Sequence, residues 1–278
     1  MDLSIQALIM GLVQGLTEFI PVSSSGHLIL VPWVMGWKDP FIDSLAFSVM
    51  LHMGTLLALL AYFRRDWLTL VPAGLAAIRD RSFKGDDDRR MAWLLAVATI
   101  PAILVGPLFD NTVEAAVRKP AEVALMLCVG AAILWLAERW GSKLREMGSL
   151  SFLHAFGIGV AQTIALVPGI SRSGISISAG LFLGLKREAA ARFSFLLATP
   201  VVAGAGIWEA RKLVTHEAGV NPSGELVVIG FVAAAISGLL AIHFMLEFLK
   251  RQPVTVFVVY RVVAAVLVFV VLLSPHGA

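Results

Sequence analysis

Long apolar stretches alternate with short charged ones from one end of this chain to the other. Six of the stretches, near 43–63, 91–109, 121–137, 189–208, 226–246 and 254–273, are long enough to cross a hydrocarbon core of about 30 Å at roughly 20 residues per crossing. Two more, 3–36 and 152–185, are apolar but broken midway by proline, glycine and serine, the pattern of paired half-helices that enter and leave a bilayer on one side. The run WLTLVPAGLAAI at 67–78 is too short to span and follows Arg64, Arg65 and Asp66, so it is expected to lie at the membrane surface.

The charges refine this layout. The connections 64–90, 138–151, 186–192 and 247–253 carry 15 Lys and Arg residues, whereas 1–42, 110–120 and 209–225 carry 5. Basic loops stay in the cytoplasm, which places both termini on the periplasmic side. Arg172 and Arg261 are left over, and both lie inside apolar segments.

The two broken stretches are also alike. At an offset of 148 residues Gly11, Gln14, Ser23, Ser25 and Gly26 match Gly159, Gln162, Ser171, Ser173 and Gly174, and FSVML at 47–51 parallels FSFLL at 193–197 at an offset of 146. Each half then reads as one re-entrant pair followed by three crossings. Three is odd, so the second half is turned upside down and the two polar loops meet from opposite faces. The expected fold is an all-α integral membrane protein, six transmembrane helices plus two re-entrant helix-loop-helix pairs arranged as two inverted-topology repeats. It forms a single membrane domain, with repeat 1 over about 1–137, a cytoplasmic linker at 138–151 and repeat 2 over 152–278.

Composition agrees, with 58% hydrophobic residues, 15% charged residues and a mean hydropathy of +0.86. The net charge of +3 comes from loop residues that set orientation, so nucleic-acid binding is excluded as a function class. The single cysteine, Cys128, rules out a disulfide within the chain and reads as a small core residue. MDLSIQALIM has no basic leader and no small-residue cleavage site, and is read as part of the mature fold.

Polar groups concentrate in the broken stretches. Gln14 and Glu18 are one helical turn apart on a shared face. Pro21 ends that arm, and Ser23, Ser24, Ser25 and Gly26 offer hydroxyls and backbone N–H groups at the start of the next, where orphan donors favour an anion. His27 follows, suited to proton transfer near neutral pH. VPGISRSGISIS at 167–178 repeats the design with Ser171, Ser173, Gly174 and Ser176, and adds Arg172, a planar charged fork matched to phosphate oxygens.

Plainer readings compete at several positions. Gly11/Gly15 and Gly180/Gly184 read as close helix-packing pairs. His52, His154 and His243, each alone in apolar or boundary sequence, read as packed or snorkelling side chains. Membrane serines usually bond their own backbone. Glu18 and Arg172 are harder to dismiss, because a charge near the bilayer centre costs on the order of 3 kcal/mol; they form either a structural ion pair or part of a wet site. Arg261 either serves the same cavity or pairs with a carboxylate. No HExxH, CxxC or Asp-rich motif is present, and only Gln14 and Glu18 could give oxygens to Mg²⁺ or Ca²⁺ held mainly by substrate phosphates.

GLTEFIPVSSSGH, FSVMLHMGTLLALLAYF, PGISRSG, FSFLLATP and the pair Tyr260-Arg261 resemble, in order and over nearly the whole chain, the undecaprenyl-diphosphate phosphatases, also called bacitracin-resistance proteins. The resemblance implies a bacterial inner-membrane enzyme that hydrolyses undecaprenyl diphosphate to the monophosphate and inorganic phosphate, recycling the lipid carrier of cell-wall synthesis. It further implies two interlocked inverted repeats, a site facing the periplasm and a divalent-cation requirement. Its acidic motif falls on Gln14 and Glu18, its serine-histidine stretch on Ser24 to His27 and its phosphate loop on Ser171, Arg172 and Ser173. Many relatives have Glu where this chain has Gln14 and Thr where it has Ser176; Gln14 weakens a metal role there and leaves Glu18 the sole acid of the first loop.

The expected chemistry is phosphoanhydride hydrolysis on a polyprenyl diphosphate embedded in the lipid bilayer. Arg172 stabilises the phosphoryl oxygens with help from Ser171 and Ser173. Either Ser24 attacks, with His27 or Glu18 as base, or water attacks with Glu18 as base and the serines as binders. Gln14, Ser23, Ser25, Gly26, Gly174, Ser176 and Arg261 complete the expected substrate-binding set. A polyprenyl-phosphate flippase would use the same cavity, whereas a purely structural subunit would leave two matched polar loops unexplained. A homodimer is compatible with the sequence.

Overall fold

The computed structural model describes residues 1–82, 86–108, 118–214 and 223–274, with the backbone alone over 209–214. Among them are eleven α-helices. The first broken stretch is α1 (Leu3–Phe19) and α2 (Ser24–Met35). Next come α3 (Leu45–Tyr62), α4 (Arg64–Asp80), α5 (Asp87–Val105) and α6 (Pro120–Trp140). The second broken stretch is α7 (Phe152–Thr163) and α8 (Arg172–Phe182), with a 3₁₀ turn at Ile164–Leu166 between them. The chain closes with α9 (Arg187–Val214), α10 (Gly224–Arg251) and α11 (Thr255–Leu273).

Six helices, those covering the six expected spans, are long and apolar enough to cross a membrane. Their outward faces are apolar, with Leu240, Val259, Leu267 and Val270 each more than half exposed, as suits contact with lipid rather than water. The 67–78 run is the middle of the 17-residue α4, longer than expected, and bares Leu68, Val71, Leu75 and Ile78 on one side. Helix α6 continues to Trp140, past the expected start of the linker. The expected outer connections at 110–120 and 209–225 fall largely outside the described residues, as does the last residue of the 91–109 span.

Small residues set the deepest packing. Helix α1 lies against α10, and a Cβ at Gly15 would come 2.5 Å from the Ala234 carbonyl oxygen and 2.6 Å from the Gly238 nitrogen. Only glycine permits that approach, and close backbone contact is what holds helices together where lipid removes the hydrophobic drive. Gly180 behaves likewise, its would-be Cβ 2.9 Å from that of Ala190. Gly184 does not: at φ +85° it forms a left-handed turn after α8, and its carbonyl accepts from the Leu144 and Arg145 N–H groups at 3.0 and 2.9 Å. A turn rather than a packing contact therefore requires glycine there.

The loops that break the two stretches have the same local build. Ser23 and Ser171, each the residue before a short helix, have φ of 78° and 76°, and each hydroxyl accepts the N–H three residues on, from Gly26 at 3.3 Å and Gly174 at 3.0 Å. The loops also touch, because the Gly169 N–H donates to the Ser23 hydroxyl at 3.1 Å.

Candidate active site

Helix α1 carries Gln14 and Glu18 on its buried face, and helices α2 and α8 present Ser24 and Arg172 at their first turns. The four side chains meet at the Glu18 carboxylate, which is 5% exposed. Its Oε2 accepts from Gln14 Nε2 at 2.9 Å and from the Ser24 hydroxyl at 2.5 Å. Its Oε1 forms an ion pair with the Arg172 guanidinium. Sequence left this pair open between scaffold and chemistry; geometry makes it a contact at the edge of a cavity of about 310 Å³.

Glu18, Ser24, Ser25 and Arg172 line that cavity, with an apolar wall that includes Leu28, Ile29, Leu45, Val49, Leu166 and Val202. The remaining expected residues lie behind it. Ser171 and Ser173 share a contact at 3.2 Å, Ser23 and Ser25 one at 3.4 Å, and Ser176 donates to the Arg172 carbonyl at 2.7 Å with its oxygen 2.6 Å from the Ser194 hydroxyl. Gly26 and Gly174 supply the N–H groups that the two cap serines accept. Apart from Ser25, these residues shape the loops rather than the cavity wall.

His27 is turned away from Ser24. Its Nδ1 is 2.7 Å from the Ser23 carbonyl and its Nε2 is 2.7 Å from the Tyr260 hydroxyl, with the two rings stacked at 5.7 Å. The group that accepts from the Ser24 hydroxyl is the Glu18 carboxylate. Arg261 differs from both of its expected readings, as it neither lines the cavity nor meets a carboxylate among the described residues. Fully buried, its guanidinium donates to the Gly169 and Ile170 carbonyls at 2.7 and 2.8 Å, to Leu127 at 3.2 Å and to Pro21 at 3.4 Å. One side chain from α11 thus ties both polar loops to α6.

Sequence reasoning passed over two cavity residues. His52 Nε2 lies 3.4 Å from Glu18 Oε2, and its Nδ1 donates to the Ser48 carbonyl at 2.8 Å, which fixes the ring against the carboxylate. The available signal was Ser48 and His52 four apart on an otherwise apolar helix, the same spacing as Gln14 and Glu18. Gln162 also lines the cavity. Of the other lone histidines, His154 caps α7 through Ser151, and His243, on α10, lies 3.4 Å from the Tyr62 hydroxyl.

Among the described residues no three His, Cys, Asp or Glu side chains converge. Gln14 Oε1 is a buried oxygen with no hydrogen-bond partner, next to the Glu18 carboxylate. That donor set suits a hard divalent ion whose other ligands come from phosphate, not a resident metal caged by protein.

What the site can do follows from these groups: bind an anion through Arg172, remove a proton from Ser24 or from a water in its place through Glu18, and keep an apolar chain beside both. The family model described as "Bacitracin resistance protein BacA" matches residues 7–267. The chain is 41% identical over 268 residues to an undecaprenyl-diphosphatase of Desulforudis audaxviator, with 96% of this chain and 97% of the relative covered. Enzymes of the same name from Moorella thermoacetica and Caldicellulosiruptor bescii are 43% and 44% identical, each over 96% of this chain and 97% of the relative. A match of this extent, carrying both polar loops, means that the chain belongs to the bacitracin resistance protein BacA family.

Proposed function

We propose that this protein is a multi-pass membrane phosphatase of the bacterial inner membrane that hydrolyses undecaprenyl diphosphate to undecaprenyl phosphate and inorganic phosphate. The observation that carries the reading is the Ser24 hydroxyl on Glu18 Oε2 at 2.5 Å, with Arg172 on the other carboxylate oxygen and the cavity in front of all three. A serine hydroxyl is a poor nucleophile at its own pKa and needs such a base. Ser24 Oγ attacks the terminal phosphorus as the bond to the bridging oxygen breaks, and undecaprenyl phosphate leaves. Glu18 takes the serine proton, and water then cleaves the phosphoserine to inorganic phosphate.

Arg172 holds the phosphoryl oxygens through this step, which requires neutralised charge and in-line placement more than covalent help. The Arg172 guanidinium pairs with Glu18 Oε1, so a diphosphate that competes for the guanidinium frees the carboxylate to act as base. His52 keeps that carboxylate oriented. Glu18 and Gln14 would hold a Mg²⁺ or Ca²⁺ brought in with the diphosphate, and such an ion would neutralise phosphate charge.

The cavity, near the small end of ligand pockets, takes the headgroup and the first part of the lipid tail, and the rest of the tail lies along the exposed apolar helices. The two broken stretches act as re-entrant pairs of two inverted repeats, a reading supported by the matched geometry of Ser23 and Ser171 and by their loops meeting. The basic connections support periplasmic termini, and Arg118, from the outer 110–120 connection, on the cavity lining supports a site open to the same side. Every group named here comes from one chain, so a homodimer is not required for chemistry. No observation favours the flippase reading.

The test is phosphate release from undecaprenyl diphosphate by the purified protein, with and without chelator. Equal amounts of undecaprenyl phosphate and inorganic phosphate are expected, and no release overturns the reading. Rapid quench with labelled substrate should trap phosphate on Ser24; label that never stays on the protein assigns the attack to water.

A further inference from the structure

We infer that Gln162 is a substrate-binding residue whose amide holds a phosphate oxygen of the lipid diphosphate, an inference that rests on the reaction proposed above. Gln162 ends α7, is 3% exposed and lines the same cavity as Glu18, Ser24 and Arg172. Neither its Nε2 nor its Oε1 has a hydrogen-bond partner. Among the described residues it is the one buried amide bare at both ends, since Gln6 donates to the Met1 carbonyl and Gln14 to Glu18. Native proteins rarely leave a buried amide in that state unless something else completes it.

The protein around Gln162 offers no completion. Gly159, one turn earlier, lies so close to Ala98 that a Cβ there would overlap the Ala98 carbonyl, which keeps α7 from rolling away from the cavity. The neighbouring Thr163 hydroxyl is committed to the Val160 carbonyl at 2.7 Å. Gln162 lines the cavity, and a phosphate oxygen held there is the partner the inference assigns to its amide. A diphosphate presents several acceptor oxygens; among the described residues Arg172 is the guanidinium paired with Glu18, and Arg118 is a second cation on the cavity lining. The Gln162 NH₂ adds neutral N–H donors, and its carbonyl can accept from a water or a protonated phosphate oxygen. The first polar loop contributes the attacking hydroxyl and its base; the end of α7 contributes a second grip on the group under attack.

The deciding variant is Gln162→Leu, which keeps the volume and removes both polar ends. Because those ends bond to nothing in the protein, its melting temperature in detergent should equal or exceed that of the wild type. Its kcat/KM on undecaprenyl diphosphate should fall about 10- to 100-fold, the loss of one hydrogen bond to a charged group, mostly through KM. Gln162→Glu, which faces phosphate with a carboxylate, should fall further, and Gln162→Asn, which keeps the amide but draws it back, should lie between the leucine variant and wild type. Methylene diphosphonate should raise the wild-type melting temperature and raise that of the leucine variant by less.

Wild-type kcat/KM together with a wild-type melting shift in Gln162→Leu overturns the inference. Should that variant not fold, the asparagine and glutamate variants decide, and wild-type kinetics in both is the overturning result. If the wild type releases no phosphate yet the diphosphonate still stabilises it more than Gln162→Leu, the reaction is wrong and the binding role of Gln162 stands.

Discussion

Replacing Arg261 by Met should disable the enzyme from outside its cavity. The guanidinium is fully buried and makes two short bonds to the Gly169 and Ile170 carbonyls, at 2.7 and 2.8 Å. A hydrogen bond to a charged group contributes about 1.5 to 3 kcal/mol net of hydration, so these two alone hold the second loop with roughly 3 to 6 kcal/mol. Pro21, Gly169 and Ile170 lie outside any helix, and their carbonyls have no helical ladder to return to. At about 1.4 kcal/mol per factor of ten, even the lower figure corresponds to a turnover loss of roughly 100-fold if it is spent on loop placement. Phosphate release and the melting temperature in detergent should fall together. Arg261→Lys should recover less than half the loss, since a point charge cannot span both carbonyls. Gly130→Ala tests the same contact from the other side, because its Cβ would come 2.7 Å from both the Arg261 Cζ and the Ile170 carbonyl oxygen. Wild-type turnover in Arg261→Met would refute the claim that this residue sets the loops.

Other perturbations follow from the same geometry. Arg172→Lys should retain under a tenth of the turnover, because a single ammonium cannot reproduce a fork shared between Glu18 and phosphate; near-normal phosphate release would contradict the clamp. Gln14→Glu replaces the donor to Glu18 Oε2 by a second carboxylate, so activity should come to depend more steeply on Mg²⁺, and an unchanged metal titration would remove position 14 from any ion site. Gly15→Val should lower the melting temperature by several degrees through the α1–α10 contact, where the backbone leaves no room for a side chain; an unaltered melt would mean that the contact is looser than drawn.

Sequence pattern alone located all six long helices and both broken ones, because a bilayer demands about 20 apolar residues per crossing and little else imitates that demand. Glu18 and Arg172 were legible for a related reason, since a charge near the bilayer centre is too costly to be accidental, whereas Ser24 stood out only by its place in the loop beside them. Long-range placement was not legible. His27 and Ser24 are three residues apart, yet a positive φ at Ser23 starts a helix on which His27 faces Tyr260, 233 residues on. His52 looked like one more packed side chain because its partner is on another helix. Arg261 suggested a carboxylate or the cavity, and only tertiary structure could supply backbone carbonyls from three separate segments instead.

The position of Arg261 also has a meaning in time. A chain made from its N-terminus at about 5 to 20 residues per second delivers the first polar loop on the order of 10 to 50 seconds before the helix that carries this arginine. Until α11 enters the membrane, the bonds that hold both loops against α6 do not exist. The candidate site is therefore set by a helix made well after both loops, so that a chain cut short before residue 255 would insert most of its apolar mass and still carry no working site.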